Sequence, residues 1–143
     1  MKTLREIMRE GFIFAVQRNA PVAVATRVME THNVGIVAVT ENRRLIGVFS
    51  ERDVVRRVVN RGLDPETTRV EDVMTREIVV ATEDEDYQMA MRKIDQANIR
   101  HLPIVSGDRL VSMLSIRDLM RVDMQRMSEE IRYLHEYLYQ VPK

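Results

Sequence analysis

The sequence predicts an α+β fold: two β-α-β-β-α repeats packed with pseudo-twofold symmetry, followed by a long C-terminal helix. Three observations point there. First, Gly47-Val48-Phe49-Ser50-Glu51-Arg52-Asp53 is echoed sixty-five residues later by Ser112-Met113-Leu114-Ser115-Ile116-Arg117-Asp118. That offset holds without a gap from Ile13/Ile78 to Arg56/Arg121, with ten identities in 44 positions. A repeat of this length is one supersecondary unit in two copies, and a unit that cannot bury its apolar face alone packs against its twin. Second, within each copy, short apolar runs alternate with segments at helical spacing. Third, Met120, Met124, Met127, Ile131, Leu134 and Leu138 recur at steps of 4, 3, 4, 3 and 4, the 3.5-residue period of a coiled-coil seam.

The elements follow in order. In the first copy Phe12 to Val16 reads as a strand, Asn19-Ala20-Pro21 opens a helix with Pro21 near its first position, and Val34 to Thr40 and Leu45 to Phe49 read as strands around a turn. Ser50 then caps a helix reaching about Asn60. In the second copy Ile78 to Ala81 is a buried strand, and Thr82 with the acids Glu83 to Asp86 starts a helix whose core positions are Met89 and Ile94. Arg100 to Val105 is strand-like, and Pro103 makes it an edge or irregular strand. Ser106-Gly107-Asp108 turns into Leu110 to Leu114, and Ser115 caps the last helix. Leu4, Ile7 and Met8 match Val70, Val73 and Met74 at a spacing of 66, a short lead-in helix before each unit. The expected division is residues 1–66, the first repeat with its lead-in and linker; 67–122, the second; and 123–143, the amphipathic helix.

Composition excludes several function classes. The 143 residues are 45% hydrophobic and 31% charged, ordinary for one globular domain. Cysteine is absent, which removes disulfides, thiolate metal sites and thiol nucleophiles. Acids and bases balance at 22 each, so no broad basic surface for nucleic acid is expected. No apolar run approaches the roughly 18 residues of a membrane span, and residues 1–6 lack the apolar core of a signal peptide. The expected compartment is the cytoplasm. His32 and His135 stand alone and suggest no metal site, and nothing pairs a nucleophile with a base. No catalytic residue and no metal ligand is expected. Arg52, Arg56 and Arg57 read as a solvated helix face.

Ser50-x-x-Asp53 and Ser115-x-x-Asp118 carry the chemistry. Each falls where a strand enters a helix. There the hydroxyl caps, the first-turn N–H groups and helix dipole favour an anion, and a carboxylate three residues on can accept two hydrogen bonds from a vicinal diol. That set suits a ribose phosphate. The plain alternative is a capping box that only stabilises the helix.

Ile99-Arg100-His101-Leu102-Pro103-Ile104-Val105, Leu110 to Met113 and Ser115-Ile116-Arg117-Asp118-Leu119 together resemble a CBS motif, the unit named for cystathionine β-synthase. Val73-Met74-Thr75 resembles its lead-in, and Gly47-x-x-Ser50-x-x-Asp53 is the first copy. The resemblance covers about residues 3 to 122. It implies a CBS fold, a pair of motifs that dimerises as a flat disc, and clefts that bind AMP foremost, with ADP, ATP, NAD or S-adenosylmethionine as alternatives. Carried over, Asp53 and Asp118 hold ribose, and Ser50 and Ser115 sit at the phosphate end, with Arg117 beside the second site. The Asp53 site borrows Thr75, Val79, Ile99, Arg100 and His101; the Asp118 site borrows Phe14, Val34, Gly35 and Ile36. Arg100 and His101 give the first cleft a cationic edge, and His101 should charge below about pH 6.5. Ser112 in place of Gly47, and Ala38 in place of Pro103, set the two halves apart.

The expectation is a regulatory CBS pair without catalysis, homodimeric, reporting nucleotide status to a separate effector protein. Its rival is a dimerisation module with no nucleotide ligand. The C-terminal seam has two readings. It lies on its own module, or, as favoured here, it meets another chain with Tyr133 and Tyr137 flanking the contact.

Overall fold

In a computed structural model, residues 2–8 and 13–139 are described. The elements are α1 (Leu4–Ile7), β1 (Ala15–Gln17), α2 (Val22–His32), β2 (Ile36–Glu41), β3 (Arg44–Ser50), α3 (Glu51–Asp53), a wide π-type continuation (Val54–Val59), a 3-10 turn (Val70–Asp72), β4 (Ala81–Thr82), α4 (Tyr87–Ala97), β5 (His101–Ser106), β6 (Arg109–Ser115) and α5 (Ile116–Leu138). α2 and α4, β2 and β5, and β3 and β6 keep the offset of 65 at both ends. The fold is the α+β repeat architecture the sequence predicts.

The six strands run in the order β1-β2-β3-β6-β5-β4. β1 is parallel to β2 and β4 to β5, while each hairpin is antiparallel. Between β3 and β6 the ladder pairing of the halves is limited to Arg44 and Arg109. The sheet is therefore two three-stranded halves, each carrying a bulge at the matched steps Val39/Thr40 and Ile104/Val105. Identities of the repeat find local reasons here. Asn33 and Asn98 end α2 and α4 in the left-handed conformation, at φ 53° and 54°, which asparagine tolerates better than most residues.

Each half has its own apolar core, and the lead-ins are exchanged between them. Val70, Val73 and Met74 join Val22, Met29, Val37, Phe49 and Val58 of the first repeat. Leu4 joins Tyr87, Ile94, Leu102, Ile104 and Leu119 of the second. The backbone repeats the exchange: Val70 N–H donates to Ala20 O at 2.8 Å, and Leu4 N–H to Glu85 O at 2.9 Å. Ala38, Leu110 and Met113 form a smaller cluster where the halves meet.

Five expectations change. β5 is an interior strand, not an edge, and it is the irregular strand of the two alternatives, with a bulge at Ile104/Val105 beside Pro103. It tolerates Pro103 because the missing N–H falls where β4 does not reach; at the matched position Ala38 N–H donates to Phe14 O at 2.8 Å. The same absence confines β4 to Ala81–Thr82 rather than Ile78 to Ala81. Thr82 thus lies in a strand, and α4 starts at Tyr87 after Asp86, with no side-chain cap. Met89 is 46% exposed, because α4 buries Tyr87, Ala90 and Ile94 on the opposite face. The first strand begins at Ala15, and Phe12 lies outside the described residues.

The seam of α5 is exposed along its length, from Met120 to Leu138. The helix turns Leu119 into the core and its apolar stripe away from its own module.

Leu4 lies in a helix of only four residues, yet it is fully buried in the second core. Leu4→Ala should cost about 2–5 kcal/mol in urea unfolding, as for an interior leucine. A loss below about 1 kcal/mol, the level of a surface change, would show that the lead-in contributes little.

Candidate nucleotide cleft

Asp53 sits where α3 leaves β3, and the local sequence folds that way because Ser50 caps the helix. Asp53 N–H donates to Ser50 Oγ at 3.2 Å, and Ser50 N–H donates back to Asp53 Oδ2 at 3.0 Å. This reciprocal box satisfies two backbone donors and points the carboxylate inward. Asp53 is only 7% exposed. The crossing segment of the other repeat completes its surroundings. Thr75 Oγ1 lies 3.1 Å from Asp53 Oδ1, and Arg57 Nε lies 3.6 Å from the same oxygen. Arg57 also donates to Met74 O at 2.6 Å.

The crossing needs a glycine. Thr75 pairs with Val48, N–H to carbonyl in both directions, at 2.8 and 3.0 Å. A Cβ at Gly47 would stand 2.5 Å from Met74 Sδ and 3.0 Å from Thr75 O. Only the bare backbone lets Met74 and Thr75 pass this close.

A cleft of about 1330 Å³ opens over Asp53 and is lined by both repeats. Of the residues expected around Asp53, the structure brings together Ser50, Thr75, Val79, Ile99, Arg100 and His101. Val34, Gly35 and Ile36, expected with Asp118, line this same cleft. The reason is chain direction: the segment before β2 runs beside the start of α3, and Glu51 N–H donates to Gly35 O at 3.0 Å. Arg57, expected on a solvated helix face, instead joins the site. Its i+4 spacing from Asp53 is the available signal.

Asp118 repeats the box: Ser115 N–H donates to Asp118 Oδ2 at 3.0 Å, and Asp118 N–H to Ser115 Oγ at 3.1 Å. Ser115, Arg117, Asp118 and Phe14 do not line the Asp53 cleft. The segment matching Thr75 falls at residues 9–10, outside the described residues. Arg117 is exposed. Phe14 stacks against His32 with ring centroids 4.8 Å apart.

His101 departs from its expected behaviour. Burial lowers its pKa below the usual 6.5; Asp118 opposes this and Arg100 adds to it. At neutral pH Arg100 rather than Arg100 with His101 supplies the charge from the second repeat, and Arg52, Arg56 and Arg57 line the cleft from the first.

The chain matches the CBS domain family over residues 4–60 and 70–125 and belongs to it. It is 31% identical over 119 residues to "CBS domain-containing protein CBSX3, mitochondrial" of Arabidopsis thaliana, covering 80% of this chain and 58% of that protein. It therefore spans less than two thirds of that relative. It is 33% identical over 107 residues to the CBS domain-containing protein YhcV of Bacillus subtilis, covering 75% and 76% of the two chains. A CBS domain protein of Pyrobaculum aerophilum, solved in complex with AMP, superposes with a TM-score of 0.73 at 24% identity, over 82% of this chain and 89% of that one.

The His101 shift has a sign. The folded pKa lies below the unfolded value, so between the two the unfolded chain holds more protons. Stability from neutral His101 is complete above about pH 6.5 and falls as pH drops toward the folded pKa. His101→Gln should lose less stability than the wild type between pH 7.5 and 5.5, read from urea midpoints. Parallel losses in the two proteins would sink the assignment.

Proposed function

We propose that this CBS pair binds an adenine nucleotide, AMP foremost, in the cleft over Asp53, and passes the bound state to an effector protein. The observation that carries the reading is the buried Asp53 carboxylate at a capped helix start, facing a cleft lined by both repeats. A ribose diol offers two donors to a carboxylate that accepts only, displacing the Thr75 hydroxyl bonded to it here. The start of α3 and the exposed Arg100 suit a phosphate. ADP, ATP and NAD fit the same chemistry. The Asp118 box is proposed as a second, weaker-defined half-site with Phe14, Ser115 and Arg117 near it. The Pyrobaculum protein's AMP is a precedent for the fold.

Nucleotide that touches both repeats favours one packing of the halves, and a partner that distinguishes packings responds. A homodimer, a role in reporting energy status, a cytoplasmic setting and the lack of catalysis belong to this proposal. Among the described residues, no helix is long and apolar enough to cross a membrane. The second reading, a dimerisation module without a ligand, draws on the exposed apolar stripe of α5.

A thermal-shift screen with AMP, ADP, ATP, NAD and S-adenosylmethionine separates the two. A ligand at 100 times its Kd stabilises by about 2.7 kcal/mol if it binds only the folded state. Asp53→Ala should weaken binding by about 1.5–3 kcal/mol, the worth of a hydrogen bond to a charged group, measured by calorimetry. If none of the five ligands shifts unfolding, the dimerisation module is the better reading.

A further inference from the structure

The last three turns of α5 belong to no part of the described module. The helix is tied down only in its first half. Leu119 is fully buried. Tyr87 Oη donates to Asp123 Oδ1 at 3.0 Å and accepts from Arg126 Nε at 2.8 Å. Beyond Arg126 every described residue is exposed. Residues 127–138 therefore extend about 18 Å from the body at 1.5 Å per residue. Along the face turned from the module run Met120, Met124, Met127, Ile131, Leu134 and Leu138, each between 48% and 71% exposed. The stripe has a beginning in the other repeat as well. Val55 and Val59, sixty-five residues before Met120 and Met124, are 55% and 65% exposed.

The period and the flanking charges select the occupant. A seam at 3.5 residues drifts off a straight helix and stays aligned only when two helices supercoil. A membrane surface is a poor match, because charged residues of both signs line the helix. Arg121, Arg126 and Arg132 alternate with Asp123, Glu129, Glu130 and Glu136, where an anionic bilayer needs an excess of Lys and Arg. A second copy of this chain is a good match. With Ile131 and Leu134 as the two core positions of one heptad, the pair has the β-branched and γ-branched residues that favour two parallel strands. In that arrangement a residue before the first core position faces the partner residue five further on. Glu130 then faces the second copy's His135 position, and Asp123 faces its Ser128 position. An antiparallel pair centred on the seam would instead set Glu130 against Glu130, and Arg121 against His135.

We infer that α5 is the contact surface for a second copy of this chain, paired as a parallel two-stranded coiled coil through the Met120–Leu138 stripe. This rests on the homodimer of the proposed function and gives it a place, an orientation and a register. It does not depend on which nucleotide binds.

Two experiments on the full chain test it. In analytical ultracentrifugation over a dilution series, the wild type should be a dimer, and Ile131→Asp with Leu134→Asp should raise the dimer Kd at least 100-fold. Both positions are exposed within the chain, so helical circular dichroism and nucleotide binding serve as folding controls. The second experiment uses the absence of cysteine from the sequence. Leu134→Cys alone should form an intermolecular disulfide under mild oxidation, because parallel pairing places position 134 against itself. Antiparallel pairing separates the two copies of position 134 by about 15 Å along the helix, ten residues at 1.5 Å each, and cross-links only when Met124→Cys is added. That cross-link, or an unchanged dimer Kd in the double aspartate variant, overturns the inference and leaves the homodimer standing. A wild type that sediments as a monomer at every concentration overturns both.

Discussion

The exchange of lead-in segments is the constraint on which the remaining geometry depends. Neither half closes its own core. Val70, ahead of the second repeat, is fully buried in the first, and Leu4, ahead of the first repeat, is fully buried in the second. The backbone pairs Pro21 with Arg69 and Thr3 with Asp86, at matched places. Direct sheet pairing between the halves is limited to Arg44 and Arg109, with two backbone hydrogen bonds beside it, so strand pairing is a small part of what holds them. Two crossed segments, each burying apolar side chains in the opposite half, can do so, because burial is non-directional and scales with apolar area.

The candidate site is a consequence of that crossing. The segment from Val70 to Thr75 must pass over β3 to leave the first core, and it passes at Gly47 and Val48. That path sets the Thr75 hydroxyl against the Asp53 carboxylate and the Met74 carbonyl against Arg57. Asp53 therefore has two dependencies, a cap from its own helix and a hydroxyl from the other repeat. Anything that replaces the Thr75 bond changes the contact between halves. The Thr75 bond is itself a contact between the halves, so a ligand group that took its place in the proposed cleft would act on their packing as well as on Asp53.

Much of this is legible in the sequence because the repeat is visible at the level of identities. The 65-residue offset locates α2 and α4 and both hairpins, and Ser-x-x-Asp locates two capping boxes. The features that the sequence misplaces are set by contacts between distant segments. Pro103 suggests an edge or irregular strand; the irregularity is there, in the bulge at Ile104/Val105, but the edge is not, because a sequence does not say how far the neighbouring strand extends. Spacing alone assigns Met89 to the core; Tyr87 holds the buried position because its hydroxyl has Asp123 and Arg126 from α5 as partners. Val34, Gly35 and Ile36 also line the cleft over Asp53, a proximity the repeat alone does not announce, because the direction in which a chain enters a hairpin is a tertiary fact.

The departures from symmetry gather around the two crossings. Gly47 has its counterpart in Ser112, which is 1% exposed and whose Oγ has no hydrogen-bond partner among the described residues. A buried hydroxyl left unpaired is costly, and a side chain at this place leaves less room for a close crossing than glycine does. After Asp53 the helix widens into π-type turns over Val54–Val59, whereas after Asp118 the chain is regular α-helix. Wide turns of this kind are uncommon and concentrate at functional sites. Here they carry Arg57 to the backbone carbonyls of Val73 and Met74 in the crossing segment. Both halves thus carry the capping box; the first adds the close crossing at Gly47 and the reaching Arg57, and the second continues as one α-helix to Leu138. Two matching capping boxes therefore lead into different helices, one crossed by the lead-in segment beside the cleft and the other running on as a long exposed arm.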